Sequence, residues 1–436
     1  MPFTPFTRRE EYRLLSRLSD AYPLFDDVDA LFDPKVGSGV ALKKKFGEIA
    51  TGDPSSTRWQ NVYNMIDGND ELVKLLEFVM GTDEGPLTKD PTITSLLTVL
   101  KTRDQQKLTR LAEAIDQNGC ILFLGPGALR TAEGGQPFTK YLANSLANVL
   151  QQNTNDIYFD PELRENLSYI AQRYEEIARK LFQQKFPGQP YNPQQFNRQG
   201  LLASDTYTAL RNQDGLNTAI YQSVAKLPFK IIINTNPDHE DLINAIETTP
   251  IRGALNRECI HGYFSMANGN AVGEDDRVIV RNRMASFGGL AKPGEKTKVL
   301  LYNLFGSVEN PYSILTTESQ FLQFMTTILD PDAGLHFELK REFFDPKYYL
   351  FLGFDFDQWY AKIIFNTVLK LDKGENRTVS LFPLATNASN ESATVLPFSQ
   401  ANREFFEEEF NMYFVTDATQ GFLKKLISIF EQLPHA

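Results

Sequence analysis

The chain has 436 residues, and its 44 basic and 55 acidic side chains give a formal net charge of −11 with histidine neutral. Hydrophobic residues make up 42% and charged residues 23%, as in ordinary globular proteins, so wholesale disorder is excluded. The acidic balance argues against a dedicated nucleic-acid-binding protein. No apolar run approaches the roughly 20 residues that cross a bilayer, and no basic segment followed by an apolar one opens the chain. The sequence predicts a cytoplasmic protein that does not enter membranes.

Residues 1–82 predict a small all-α domain, because apolar residues recur there at helical spacing. Four of them lie at positions i, i+3, i+4 and i+7 along one helix face: Leu72, Leu75, Leu76 and Val79. Residues 83–92 combine charge with glycine and two prolines, which is typical of a linker. We therefore predict a domain boundary there, with a second domain over residues 93–436.

After the linker, short apolar runs alternate with helical segments. Six runs predict strands, at residues 120–124, 229–234, 299–304, 348–352, 379–382 and 412–415. They are continuous rather than alternating, as in strands buried on both faces of a parallel sheet. Helical spacing of apolar residues predicts a long helix at 163–181 and a last helix at 421–433. The pattern indicates a doubly wound, Rossmann-like α/β domain with a mostly parallel sheet, preceded by the small helical bundle.

Two stretches interrupt this alternation, at residues 183–200 and 266–297. Both are rich in glycine, asparagine, proline or glutamine, and both predict long surface loops or lids. The two cysteines, Cys120 and Cys259, are too few for a disulfide framework or a four-thiolate zinc site. They predict free thiols in a reducing compartment, and we expect no bound metal.

The first predicted strand runs directly into a glycine-containing turn, Gly125-Pro126-Gly127-Ala128. Glycines at such a turn let the backbone approach a pyrophosphate, and a helix opening near Pro137 would offer its amino terminus nearby. The usual dinucleotide fingerprint needs a third glycine where this chain has Arg130. A conventional dehydrogenase loop is therefore not supported, and a plain strand-to-helix turn remains an alternative.

Three further predicted strands end in glycine or compact polar residues. Asn234-Thr235-Asn236-Pro237-Asp238 follows the second strand, Phe305-Gly306-Ser307 follows the third, and Gly353-Phe354 follows the fourth. Ligands of open α/β sheets bind outside the carboxyl ends of the strands. Four such strand ends on one edge indicate a nucleotide crevice.

Taken in order, these motifs make residues 93–436 resemble the sirtuin-like NAD-cleaving domains of bacterial antiphage defence. The matching segments are the glycine turn, residues 163–176, residues 234–238, residues 301–317, Gly353 and residues 405–426. The first 82 residues resemble an effector-associated domain, a death-like helical adaptor of bacterial conflict systems. The resemblance implies a role in immunity against phage and recruitment of another conflict-system protein through the adaptor. We also expect a homo-oligomer.

The resemblance further implies that the ligand is NAD or an ADP-ribose-type nucleotide. Asn236 would lie against the nicotinamide ribose and orient the sugar or the attacking water, and Asp238 would organise the same strand end. The rest of the nucleotide would be lined by eight residues: Gly125, Pro126, Gly127, Ala128, Gly306, Ser307, Gly353 and Phe354.

At the position of the family's general base, a histidine before a glycine, this chain has Phe305. Phenylalanine cannot accept a proton, so the roughly 10²- to 10⁴-fold contribution of a general base would be missing. Three functions stay open: a component that binds NAD without efficient turnover, an NAD hydrolase that acts through Asn236, and a structural partner with a closed pocket. His239 and His261 are candidates for a replacement base, although a locally hydrogen-bonded histidine is the simpler interpretation of each.

Overall fold

The computed structural model describes two compact units: Met1–Arg110 with Phe414–Asp417, and Leu111–Tyr413 with Ala418–Ala436. Within them, the described residues are 8–21, 59, 72–73, 75–77, 90–131, 137–153, 163–191, 216–236, 238–251, 257–265, 274–288, 296–310, 313–330, 334–343, 348–354, 363–364, 378–382, 405–406, 412–414 and 419–434. No helix among these residues is both long enough and apolar enough to cross a membrane.

The first unit is helical where it is described. Helix α1, Arg8–Ala21, buries Leu14 and Leu18, which lie one helical turn apart. Three residues of the predicted helix face, Leu72, Leu75 and Leu76, are helical and buried. The predicted linker at residues 83–92 lies outside the described residues up to position 89, so the domain boundary stays a prediction.

Helix α2, Pro91–Asp116, begins in the last residues of that predicted linker. The Asp90 carboxylate accepts hydrogen bonds from the N–H groups of Thr92 (2.8 Å) and Ile93 (3.1 Å). Proline at the first helical position has no N–H to satisfy, so Asp90 and Pro91 together form a strong start signal.

The second unit is built on a parallel sheet. Its strands are β1 (Cys120–Leu124), β4 (Ile231–Asn234), β5 (Arg257–Tyr263), β6 (Thr297–Asn303), β7 (Tyr348–Leu352), β8 (Thr378–Phe382) and β9 (Met412–Phe414); β2 (Arg130–Thr131) and β3 (Leu216–Asn217) form a separate antiparallel pair. The seven-stranded order is β5-β6-β4-β1-β7-β8-β9, and neighbours from β5 to β8 run parallel. The predicted α/β class is confirmed, and all six predicted strands are present.

Strand β5 is absent from the sequence prediction. Its residues mix charge, glycine and apolar side chains, and buried positions do not alternate regularly along it. Arg257 opens the strand and is buried, because its guanidinium donates to the carbonyl oxygens of Ala225 and Thr249. Burial lowers the pKa of Arg257 to about 10. A positive charge on carbonyls at two helix carboxyl ends is favourable, which explains the arginine in this strand.

Helices flank the sheet. They are α3 (Phe138–Asn153), α4 (Leu167–Lys185), α5 (Ala219–Ala225), α6 (Glu240–Thr248), α7 (Glu274–Asn282), α8 (Glu318–Leu329), α9 (Phe337–Glu342) and α10 (Thr419–Gln432). The predicted long helix is α4, which begins at Asn166, whose side chain accepts from the N–H groups of Ser168 and Tyr169. The predicted last helix is α10. The loop predicted at 266–297 is wrong where α7 lies, because a helix occupies nine of its residues.

The direction in which strands are added to the sheet reverses at β1. The chain passes from β1 to β4 on one side, and it later returns from β6 to β7 on the other side of β1. Ligands of doubly wound folds bind at this kind of reversal. Leu124 pairs with both Asn234 and Leu352, so the loops after β1, β4 and β7 begin at the same level.

Candidate functional site

The glycine turn after β1 is bonded to the end of β7. Gly125 N–H donates to Leu352 O at 2.8 Å, and Gly127 N–H donates to Gly353 O at 2.9 Å. A Cβ atom added at Gly125 would lie 2.1 Å from the Gly353 oxygen, so no other residue fits without a shift of the backbone. Both N–H groups are therefore engaged by the protein's own backbone, and the glycines serve close packing of two loops.

The turn continues as a single 3-10 turn, Pro126–Ala128, which a hydrogen bond from Ala128 N–H to Gly125 O closes at 3.0 Å. Arg130 follows as the first residue of β2, and burial lowers its pKa. The Phe138 N–H then donates to Leu129 O at 2.9 Å. Helix α3 therefore begins beside the end of the turn, one residue after the predicted opening.

The end of β4 is organised by the buried Asn234 side chain. Its Nδ2 donates to Asn236 O at 2.8 Å, to Asp238 O at 3.1 Å and to Asn303 Oδ1 at 3.1 Å. Its Oδ1 accepts from Asn236 N–H at 3.1 Å. Asp238 in turn accepts from the Glu240 N–H at 3.3 Å in the first turn of α6. One amide thus fixes the loop that carries the predicted Asn236 and Asp238.

Asn236 reaches from this loop to the glycine turn. Its Nδ2 donates to Gly125 O at 3.0 Å, and the side chain is almost fully buried. The neighbouring Thr235 donates both N–H and Oγ1 to Leu124 O, at 2.9 and 2.8 Å. No described residue donates to Asn236 Oδ1. Among the described residues, the amide oxygen is the atom of the Asn236 side chain that accepts no hydrogen bond.

Phe305 lies just beyond β6 and is buried in an aromatic cluster. Its ring meets Phe321 and Phe324 of α8 edge to face, with centroids 5.1 and 5.6 Å apart. Its carbonyl oxygen accepts from Leu315 N–H at 3.0 Å. Edge-to-face rings stabilise a core by about 0.5 to 1.5 kcal/mol beyond their burial. The Phe305 side chain therefore belongs to the apolar core.

The two residues after Phe305 form a tight turn against a second loop. Gly306 has φ of 88°, and an added Cβ would lie 2.2 Å from Ser313 O. Ser307 is fully buried, and its N–H donates to Ser313 Oγ at 2.9 Å. Glycine is required at position 306 for both its backbone angle and this close approach.

A pair of histidines lies beside the polar strand ends. The rings of His239 and His261 stack with centroids 3.7 Å apart and planes 14° apart. His239 Nε2 lies 3.1 Å from Glu309 Oε1, and His261 Nδ1 lies 3.5 Å from Glu309 Oε2. Desolvation by burial, and then the charge of His239, lowers the pKa of His261 to about 3. Both imidazoles thus face one carboxylate, and His261 is neutral at physiological pH.

The structure brings some predicted residues into direct contact and separates others. Asn236, Gly125 and Gly353 form one connected cluster through backbone oxygens. Phe354 packs edge to face on Phe351 at 5.7 Å, within the core. Sequence reasoning named Asn234 and Thr235 only as part of the polar strand end, and it missed three polar residues that shape this edge: Asn303, Glu309 and Ser313. The pairing of Asn234 with Asn303 depends on the β4–β6 register, which no local pattern reveals.

Comparison with known families gives one match, the SIR2-like domain over residues 269–412. The matched stretch is about a third of the chain and includes Phe305 and Gly353, whereas the glycine turn and Asn236 lie before it. The curated proteins contain no match to the chain. Residues 269–412 are thus similar to a SIR2-like domain, and this similarity supports a sirtuin-like function related to NAD, because such domains generally bind NAD-related nucleotides.

Proposed function

We propose that the chain is a sirtuin-like component of a bacterial antiphage immune system, and that it binds NAD or an ADP-ribose-type nucleotide without turning it over efficiently. The observation that carries the proposal is Phe305. It occupies the histidine position of the resembled family, and its ring packs on Phe321 and Phe324. A buried hydrocarbon ring supplies neither a proton acceptor nor a hydrogen bond to a ribose hydroxyl.

The nucleotide would lie across the carboxyl ends of β1, β4 and β7. This edge is the reversal point of the strand order, and Asn236 presents its amide oxygen there beside Gly125. Gly125, Gly127 and Gly353 would contribute shape rather than donors, because their loops already bond to each other. Arg130 adds a positive charge after the turn, which suits a pyrophosphate.

The other proposed contacts come from the matched part of the domain and from the glycine turn. Gly306 and Ser307 would contribute from the turn after β6, and Phe354 from the end of β7. Pro126 and Ala128 would contribute from the glycine turn, which lies before the matched residues. Asp238 would hold the start of α6 rather than contact the sugar, since its carboxylate accepts from Glu240 N–H. The resulting pocket would be lined mostly by backbone and small side chains.

The helical first unit would recruit another conflict-system protein, and the assembly would be a cytoplasmic homo-oligomer. This part of the proposal rests on the resemblance of residues 1–82 to effector-associated domains. It is supported by the helical, buried Leu72, Leu75 and Leu76, which give that unit a core of its own.

Two cavities bordered by described residues lie away from the strand ends. One, of about 640 Å³, is lined by α1 and α2; the other, of about 260 Å³, lies at the amino ends of β1 and β4, next to the Lys230–Glu342 ion pair. An open nucleotide site predicts saturable binding in a ligand titration, whereas a closed pocket predicts none. A titration with NAD therefore decides between them.

The test is calorimetry of the full chain with NAD and with ADP-ribose, alongside chromatographic detection of nicotinamide. We expect binding at or below millimolar concentration and little nicotinamide. Gly127→Val should abolish binding with circular dichroism unchanged, because a branched side chain intrudes on the turn. Gly421→Val is the matched control, since nothing lies within 4 Å of an added Cβ there, and it should bind as wild type does.

Two results would contradict the proposal. Wild type that binds no nucleotide at millimolar concentration would favour a structural partner with a closed pocket. Rapid nicotinamide release by wild type, lost in Asn236→Ala, would establish the hydrolase.

A further inference from the structure

We propose that His239, His261 and Glu309 form a binding site for a divalent transition-metal ion such as Zn²⁺. The three residues come from separate elements that meet beside the carboxyl ends of β4, β5 and β6. His239 immediately precedes α6, His261 lies in β5, and Glu309 lies in the turn after β6. The site does not depend on the nucleotide-binding proposal.

The spacing of the donor atoms suits one ion. One ligand atom from each residue lies within 4.8 Å of the other two, and the closest nitrogen–oxygen distance is 3.1 Å. Zinc holds imidazole nitrogen at about 2.0 to 2.1 Å, so two tetrahedral ligands are about 3.3 Å apart. If the donor atoms move slightly closer together, their separations match those between the ligands of one zinc ion.

The donor set is one that transition metals select. Two imidazoles and one carboxylate are the protein ligands of catalytic zinc sites with an open fourth position, and of facial iron sites. Hard cations such as Mg²⁺ prefer oxygen ligands. Imidazole coordinates a metal through the lone pair of a ring nitrogen, and each histidine of the cluster offers one such atom.

The environment of His261 supplies an independent observation. Its side chain is nine-tenths buried, and its Nε2 has no hydrogen-bond partner among the described residues. A buried polar atom without a partner costs about 1 to 3 kcal/mol. The 3.5 Å approach of Glu309 is to Nδ1 and leaves Nε2 unsatisfied, whereas a metal bond from Nε2, once the ring turns toward the carboxylate, would satisfy it.

The two rings must turn to share an ion. They are nearly parallel, so their nitrogen lone pairs run side by side rather than converge. The torsion about the Cβ–Cγ bond of an imidazole has only a broad, shallow preference, so the torsion itself does not oppose convergence. Glu309 is 58% exposed, and its N–H donates to Ser307 Oγ at 3.2 Å. The carboxylate is thus held at its base and open to solvent at its tip, where an ion would enter.

The experiment titrates the full-length, chelator-treated protein with Zn²⁺ by calorimetry, and with Co²⁺ by visible ligand-field absorption, without nucleotide. We expect one ion per chain. His239→Gln, His261→Gln and Glu309→Gln should each weaken binding by more than the roughly 10- to 100-fold that loss of an outer-shell group causes. His336→Gln and Glu338→Gln are matched controls from the start of α9, and both should bind as wild type does.

Glu309→Gln keeps the test decisive, because its exposed side chain can change without disturbing the core. Absence of stoichiometric Zn²⁺ and Co²⁺ binding would overturn the proposal, and so would a bound ion that all three cluster variants retain. A nucleotide titration of Glu309→Gln distinguishes the two proposals. If Glu309→Gln loses metal binding and keeps NAD binding, the metal site is supported independently of the nucleotide proposal.

Discussion

The two halves of the candidate site are held together in different ways. On the β1–β7 side, backbone groups bond directly to backbone groups, and Gly125 leaves no room for a side chain. On the β4–β6 side, side-chain amides and hydroxyls make the connections, through Asn234, Asn303 and Ser313. The first half therefore fixes shape, and the second half carries groups whose chemistry a single substitution can change.

This difference explains where a loss of catalysis can occur without a loss of fold. Under the proposed function, phenylalanine stands in place of a base at position 305, and its ring packs on the neighbouring aromatic side chains of α8. A change on the glycine side meets a carbonyl oxygen instead and must move backbone. Under the proposed function, a substitution on the β4–β6 side can change activity and keep the fold, whereas a substitution on the β1–β7 side must change the backbone.

The largest expected effect is Phe305→His. Histidine is smaller than phenylalanine and restores a proton acceptor at the end of β6, so nicotinamide release should rise by about 10²- to 10⁴-fold. Asn236→Ala should then remove the activity. Phe321→His is the matched control, because it places the same side chain in the same cluster from α8 and should give no gain. A chromatographic assay with NAD measures all four proteins.

If Phe305→His and Phe321→His release nicotinamide equally, position 305 has no special relation to the ribose. The β4–β6 side would then not be a site at which one substitution creates NAD cleavage.

A second effect sharpens the glycine half. Gly125→Ala should lower the free energy of unfolding by about 3 kcal/mol or more, because its Cβ would lie 2.1 Å from Gly353 O. Gly421→Ala, in α10 with open space around it, should instead raise the free energy of unfolding by up to about 1 kcal/mol. Urea unfolding followed by circular dichroism measures both. Equal changes in the free energy of unfolding for the two variants would mean that the loops after β1 and β7 can move apart to admit a side chain.

A smaller effect is expected from Asn234→Ala. The substitution leaves two carbonyl oxygens and one amide oxygen without their shared donor, which should lower the free energy of unfolding by about 2 kcal/mol. Asn148→Ala removes an exposed asparagine that bonds Arg164, and it should change stability by no more than about 0.5 kcal/mol. The same urea titration compares them, and a smaller loss at position 234 than at 148 would contradict the network.

The sheet was largely predictable because its strands are buried on both faces. β1, β4 and β7 read as continuous apolar runs, since nothing polar can be tolerated there. β5 was not predictable, because Arg257 and His261 are buried by partners from other elements rather than by their own hydrophobicity. Helix α7 was hidden by its charged first residues, Glu274, Asp275 and Asp276, between stretches rich in glycine and asparagine.

The candidate site was predictable only in its location. Polar residues after parallel strands must share one edge, so Asn236 and the glycine turn could be placed near each other. Their bonds could not be predicted, because Asn236 Nδ2 reaches Gly125 O across 111 positions of sequence. Glu309 had no signal at all, since a glutamate in a loop is ordinary until two histidines approach it.

The position of β5 has a consequence for assembly. Among the described strands it is the last of the order, and β6 is its sole neighbour. An end strand exposes backbone groups that can extend the sheet into another copy, and charged residues along it discourage that pairing. Glu258 places such a group on β5. We therefore expect a homo-oligomer of this chain to assemble through its helices. We do not expect β5 to pair with a strand of another copy.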